Sequence, residues 1–372
     1  MAESTRLVDL IGSEIEAFLS ARRAQLAAIS ADTAPLIDYA AELLHGGKRF
    51  RALFCYWGWQ AVSGHQPRFD PLAAEEPSDL PAVVTAAAAL EVFHAAALVH
   101  DDIMDNSDTR RGMPAVHKRF QRLHREGGWG GSSLGFGQAA ALLLGDLLLG
   151  WSDELLDLGL SRLGRTGARA AARAEFTTMR TEVTAGQYLD ILDERAWQSR
   201  PETEMLSRAQ QVVVYKSAKY SVEAPLAIGA TMGGAAPEQL AALRDFGLPL
   251  GVAYQLRDDL LGVFGDPEVT GKPAGDDLRE GKRTVLIAVA RAKLPGNARR
   301  VLDDLLGDPE LDDQQVGMLQ ASIRQCGAVD DVERLIDHNV QQAVSAMADA
   351  PLSVTAREQL IRLTDTVTRR TA

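Results

Sequence analysis

Residues 82–105 read AVVTAAAALEVFHAAALVHDDIMD, and this stretch decides the fold. It is apolar on every side of a helix and dominated by alanine, the strongest helix former. Such a helix is surrounded by other helices and does not lie on a surface. Its end carries Asp101, Asp102 and Asp105. Asp101 and Asp105 are four apart and share one face. Burying carboxylates costs stability unless cations fill the site. A metal-dependent active site is therefore the first functional reading.

Outward from this helix, helical periodicity dominates, and the alternating β-branched runs of strands are few. The chain has 372 residues, 46% of them hydrophobic, enough for a full core in one large or two ordinary domains. Breaks fall at 63–81, 127–137, 233–237 and 265–275. None is long enough for a linker, and no repeat is evident. One all-α domain over residues 1–372 is the economical reading. Residues 1–35 mix charges with apolar positions at helical spacing and read as an amphipathic helix, not a signal peptide. The apolar runs 81–100 and 139–150 carry Glu91, His94 and Asp146, which favours buried core helices over membrane spans.

Other classes are set aside by composition. The net charge of −12 disfavours a general nucleic-acid surface. An anionic substrate then needs local Lys/Arg clusters or metals to reverse the field. Cys55 and Cys326 are the only cysteines, which argues against a disulfide framework and fits a reducing cytoplasm. Gly127–Ser133 reads as a loop ahead of a helix over 138–158. Gly135-Phe136-Gly137-Gln138-Ala139-Ala140 mimics a dinucleotide fingerprint, but it lacks a preceding strand and is a chance match.

The candidate chemistry lies in five elements. Asp101, Asp102 and Asp105 precede Asp108-Thr109-Arg110-Arg111-Gly112, and a second pair, Asp258 and Asp259, follows Tyr254-Gln255-Leu256-Arg257. Mg²⁺ prefers carboxylate oxygens and often bridges them to substrate phosphates. Arginines beside such a site suit bidentate grip on phosphate. His45-Gly46-Gly47-Lys48-Arg49-Phe50-Arg51 combines glycines that allow close backbone approach to an anion with Lys48 and Arg51. Gly271-Lys272 and Gly281-Lys282 place two lysines ten apart after the second Asp pair. Tyr215-Lys216-Ser217 sets a lysine inside an apolar helix, where it needs a partner. Together these describe a pocket for two diphosphates, one bound through metals and one through bare cationic side chains.

In order and spacing from residue 46 to 284, these motifs resemble those of the trans-isoprenyl diphosphate synthases, the polyprenyl synthetase family, and within it the short-chain geranylgeranyl diphosphate synthases. The resemblance implies an all-α bundle around a central cavity, usually in a homodimer. It implies Asp101, Asp105 and Asp258 as metal ligands, with Asp102 and Asp259 supporting, and about three Mg²⁺ ions. Lys48, Arg51, His94 and Arg111 would bind the diphosphate of isopentenyl diphosphate. Arg110, Lys216, Lys272 and Lys282 would hold the allylic diphosphate, with Ser217 and Gln255 bordering the allylic cation. The implied reaction is ionisation, condensation and elimination, with the released diphosphate as base. Gly262 departs from the pattern, since it stands where the second Asp-rich motif ends in a carboxylate, and Ser217 replaces the usual threonine.

Product length has its own reading. The tail is expected to run from Asp101 back along helix 82–105, past the small Ala96 and Ala97. Phe93 lies three residues deeper, roughly 4.5 Å at the helical rise, which leaves room for one more isoprene unit than a farnesyl chain. Geranylgeranyl diphosphate is the expected product. Equally, Phe93 packs in the core and another helix sets the floor. A farnesyl or longer polyprenyl synthase and a non-catalytic partner subunit are the alternatives.

Overall fold

A computed structural model describes residues 2–63, 79–110, 112–266 and 274–368. The chain runs through α1 (Ala2–Ile29), α2 (Ala34–Leu44), α3 (Phe50–Ser63), α4 (Leu80–Met104), α5 (Val116–Glu126), α6 (Ser133–Ser161) and α7 (Thr166–Ala196). It continues with α8 (Met205–Val212), a π-helical stretch (Val213–Glu223), α9 (Ala224–Met232) and α10 (Pro237–Phe264). The last helices are α11 (Asp276–Glu280), α12 (Val285–Lys293), α13 (Gly296–Leu305), α14 (Asp313–Gln325), α15 (Ala328–Ala346) and α16 (Val354–Thr368). Among the described residues the only strands form an antiparallel ribbon, Thr109–Arg110 against Met113–Pro114. The all-α expectation holds.

Contacts group the chain into two compact units: Met1–Glu175 with Pro225–Leu240 and Leu352–Ala356, and Phe176–Ala224 with Ala241–Pro351 and Arg357–Ala372. In the first unit α4 is the core. Ala86, Ala87, Ala88, Ala89 and Leu90 are wholly buried, and their small side chains bring the surrounding helices close. On α6, a Cβ at Gly159 would stand 2.8 Å from the Ala82 carbonyl, and Ser152 Oγ donates to the Ala89 carbonyl at 2.7 Å. Glu91, the acid inside the apolar run, is buried and accepts a bond from the Ala52 amide at 3.1 Å, satisfying an open N–H in the first turn of α3.

Helix α6 begins at Ser133, earlier than its periodicity predicts. The Ser132 side chain caps it by accepting from the Gly135 amide at 3.1 Å. Gly135 and Gly137 therefore sit in the first two helical turns, and Gly137 lets α6 meet α5, since a Cβ there would stand 3.0 Å from Gln121 Cβ. This is helix packing, not nucleotide binding. By length and composition α4 and α6 each suffice to cross a membrane; the most apolar window of α4 is 83% buried in protein, that of α6 28%. Leu142 and Leu143 stand exposed on α6.

In the second unit, Leu256, Leu260 and Val263 of α10 pack in one cluster with Leu278, Leu286, Leu319, Ile323 and Ile336. Arg257 locks this unit: its guanidinium bonds both Glu333 oxygens at 2.7 and 2.6 Å, and its Nε donates to the Thr368 carbonyl at 2.9 Å. The π-helical stretch is held on two sides by glycines. A Cβ at Gly186 of α7 would fall within 2.7 Å of the Tyr215–Lys216 backbone, and one at Gly251 of α10 within 2.8 Å of Ala218.

Candidate active site

The first unit carries the first Asp-rich motif. Along α4 the side chains from Ala82 to Ala96 are buried except at His94; beyond it all but Val99 and Asp102 open, and Ala97, Leu98, Asp101 and Asp105 lie among the open residues. These positions recur at three- and four-residue spacing, so they form one ridge ending in two carboxylates. Asp102 points elsewhere: it is 2% exposed and accepts from Arg110 Nε at 2.9 Å. The Arg110 Nη2 also reaches Asp101 at 3.4 Å. Arg110 is thus fixed to the motif chiefly by Asp102, the aspartate that lies off the Asp101–Asp105 face. Ala96 is wholly buried and Phe93 is 4% exposed, while Ala97 lies on the open ridge.

In the 45–51 loop, Gly46, Gly47 and Arg49 all adopt left-handed backbone, with φ of 69°, 87° and 47°. The glycines take this conformation freely. Arg49 is held there by donating from Nη2 to the Leu44 carbonyl at 2.9 Å. Lys48 projects into solvent with Nζ 5.9 Å from the Phe50 ring, and Arg51 is buried in the first turn of α3. Arg111 and Lys272 lie outside the described residues.

The second unit carries the second motif and a lysine–carboxylate cluster. Asp258 is partly open and Asp259 is 4% exposed. Gln255 Nε2 donates to Asp259 Oδ1 at 2.7 Å, and Asp259 Oδ2 is buried with no hydrogen-bond partner. Burial pushes the Asp259 carboxyl well above the usual carboxylate range; the Gln255 bond opposes this, and the nearby Asp277, Asp258 and Asp190 carboxylates add to the push. Lys216 Nζ binds Asp190 at 2.5 Å, and Lys282 Nζ binds Glu194 at 2.7 Å and Asp190 at 3.3 Å. Ser217, beside Lys216, is buried. Two lysines expected to share one anion thus already share one carboxylate.

Asp190 and Glu194 are absent from the sequence reading. The available signal was the spacing of Asp190, Asp193 and Glu194 on one helix, three and four apart. It is weak, because solvated helix faces show the same pattern.

The donor set suits a hard divalent cation. It consists of carboxylate oxygens, one of them an orphaned buried atom, crowded with like charge that a cation would relieve. Among the described residues no group of three His, Cys, Asp or Glu side chains is gathered closely enough to hold an ion alone. Mg²⁺ is typically held by one or two carboxylates, with substrate phosphates and water completing its shell.

A mainly helical chain with two Asp-rich motifs and a lysine–carboxylate cluster has the groups an enzyme needs to hold an anion through cations. Comparison with known proteins makes this specific: residues 34–323 match the polyprenyl synthetase family. The chain belongs to that family and is a prenyltransferase. It is 30% identical over 320 residues to a geranylfarnesyl diphosphate synthase of Aeropyrum pernix, covering 86% of this chain and 88% of that one. It is 30% identical over 310 residues to a geranylgeranyl diphosphate synthase of Methanosarcina mazei, covering 82% of each. Among solved structures, a geranylgeranyl pyrophosphate synthase from Corynebacterium glutamicum, complexed with isoprenyl diphosphate and magnesium, superposes with a TM-score of 0.89 at 35% identity, covering 98% of this chain and 99% of that one.

Proposed function

We propose that this prenyltransferase condenses isopentenyl diphosphate with allylic diphosphates (dimethylallyl, geranyl and farnesyl) in a Mg²⁺-dependent head-to-tail reaction, yielding geranylgeranyl diphosphate. The observation that carries the reading is the α4 ridge, where Asp101 and Asp105 stand directly beyond the small Ala97, with Phe93 one turn deeper. The relatives named for C20 and C25 products support a short-chain product in this range.

In this reading Asp101 and Asp105 of the first motif are metal ligands and so is Asp258 of the second, and metal when bound stabilises negative charge on the leaving diphosphate. Lys216 and Lys282, held together by Asp190, turn their donors from that carboxylate to diphosphate oxygens. Arg110, Lys272, Ser217 and Gln255 complete the allylic side, and Lys48, Arg51, His94 and Arg111 bind the isopentenyl diphosphate. Ala97 leaves the first turn of α4 open to the tail, and Phe93 closes the next. The enzyme works in the cytoplasm and as a homodimer, and the homodimer is supported by Leu142, Leu143 and Leu158 exposed on α6.

The test is a product assay with isopentenyl diphosphate, Mg²⁺ and each allylic starter. C20 product from all three starters is expected, and Phe93→Ala should lengthen it. Mainly C15 product, or unchanged length in Phe93→Ala, overturns the chain-length reading. A mainly C25 product points to the longer-chain alternative. No consumption of isopentenyl diphosphate with any starter leaves the partner-subunit reading.

A further inference from the structure

The second Asp-rich motif ends in Gly262, and its missing carboxylate looks like the loss of half a metal clamp. The structure gives a different account. Residues 258 and 262 are one turn apart on α10 and share a face. The space a side chain at 262 would occupy is filled, because three atoms of the Asp277 carboxylate lie within 2.6 Å of where its Cβ would stand. An aspartate carries its carboxylate one bond beyond its own Cβ. Asp277 therefore places a carboxylate close to where an aspartate on residue 262 would place one, and it does so from a different helix.

Asp277 is held there by its backbone. Helix α11 is bracketed by Gly275 and Gly281, both in left-handed conformation with φ of 71° and 80°. The amides of Gly281 and Lys282 both donate to the Asp277 carbonyl, at 3.1 and 3.0 Å. Leu278 beside it is fully buried in the core of the unit. A Cβ at 262 would force the Asp277 carboxylate to swing aside, so the glycine is what leaves it in this position. Nearby, Asp259 Oδ2 is buried and has no hydrogen-bond partner, an atom that calls for a cation or a proton.

We infer that Asp277 supplies the carboxylate missing from the second Asp-rich motif, so that Asp258 and Asp277 form the pair of ligands for one divalent cation. Two carboxylates are what a Mg²⁺ completed by diphosphate and water requires. The inference rests on the prenyl-transfer reading above, and it turns Gly262 from a defect into half of an exchange.

Calorimetric titration of Mn²⁺ into the full-length protein, with inorganic diphosphate present, tests it. Asp277→Asn should weaken Mn²⁺ binding about 10- to 100-fold, and Asp258→Asn should do the same. The double variant Gly262→Asp/Asp277→Ala, which moves the carboxylate to the other helix, should recover most of the lost affinity. Gly262→Asp alone should lower the melting temperature by crowding a second carboxylate against Asp277. If Asp277→Asn binds Mn²⁺ as the wild type does while Asp258→Asn does not, the inference fails and the prenyl-transfer reading stands. If the wild type neither binds Mn²⁺ with diphosphate nor consumes isopentenyl diphosphate, that reading fails and takes the inference with it. Should Asp277→Asn not fold, the double variant decides: affinity near wild type supports the exchange, and affinity as poor as that of Asp258→Asn overturns it.

Discussion

A lysine that already grips a carboxylate must change partners to grip a diphosphate, and Lys216 and Lys282 are both in that position around Asp190. Substituting Lys216 with Met keeps most of the stem and removes the charge. It should lower kcat/KM by about 10²- to 10³-fold, the usual loss for one preorganised donor, with the melting temperature little changed. Steady-state kinetics paired with a thermal melt checks both halves. His117 makes a pH prediction. It is 1% exposed, neither ring nitrogen has a hydrogen-bond partner, and burial, helped by Lys118, lowers its pKa from 6.5 to about 4. The folded state therefore holds it neutral while the unfolded chain protonates it near 6.5. Its contribution is constant above that pH, and stability falls as pH drops from about 6.5 towards 4, by about 2 kcal/mol at pH 5. A His117→Leu variant should lose this part of the slope in melts between pH 7.5 and 5. The buried histidine is visible in sequence only as a residue type. That it lacks partners depends on the elements packed around it.

At the scale of elements, α4 was legible because an all-round apolar pattern admits one environment, the middle of other helices. The start of α6 lies earlier than the periodicity predicts, since a serine cap outweighs the glycines that read as loop. The π-helical stretch has no sequence signal, and its packing depends on Gly186 and Gly251, which let α7 and α10 approach its backbone. That approach fixes Lys216 against Asp190. Gly186→Ala should shift the stretch enough to lower kcat by about 10²-fold, the scale of an ångström-level misplacement, in a protein that still folds. Circular dichroism alongside the rate measurement separates the two effects; an unchanged kcat would refute the positioning role.

For the whole molecule, the α6 leucines set the expectation. An exposed row of this kind is commonly covered by a partner. Leu143→Arg should convert the dimer expected by sedimentation velocity into monomer, and a wild type already monomeric at micromolar concentration would refute the homodimer. The sequence by itself determined the all-α class, the family, the two Asp-rich motifs and the cationic residues around them, because these depend on periodicity and residue type along one chain. Only the tertiary structure decided which carboxylates hold the lysines, why Arg257 serves the scaffold, and that Asp277 sits in the space left by Gly262. Those depend on which faces of distant helices meet, and a linear spacing does not encode a meeting that one missing Cβ makes possible.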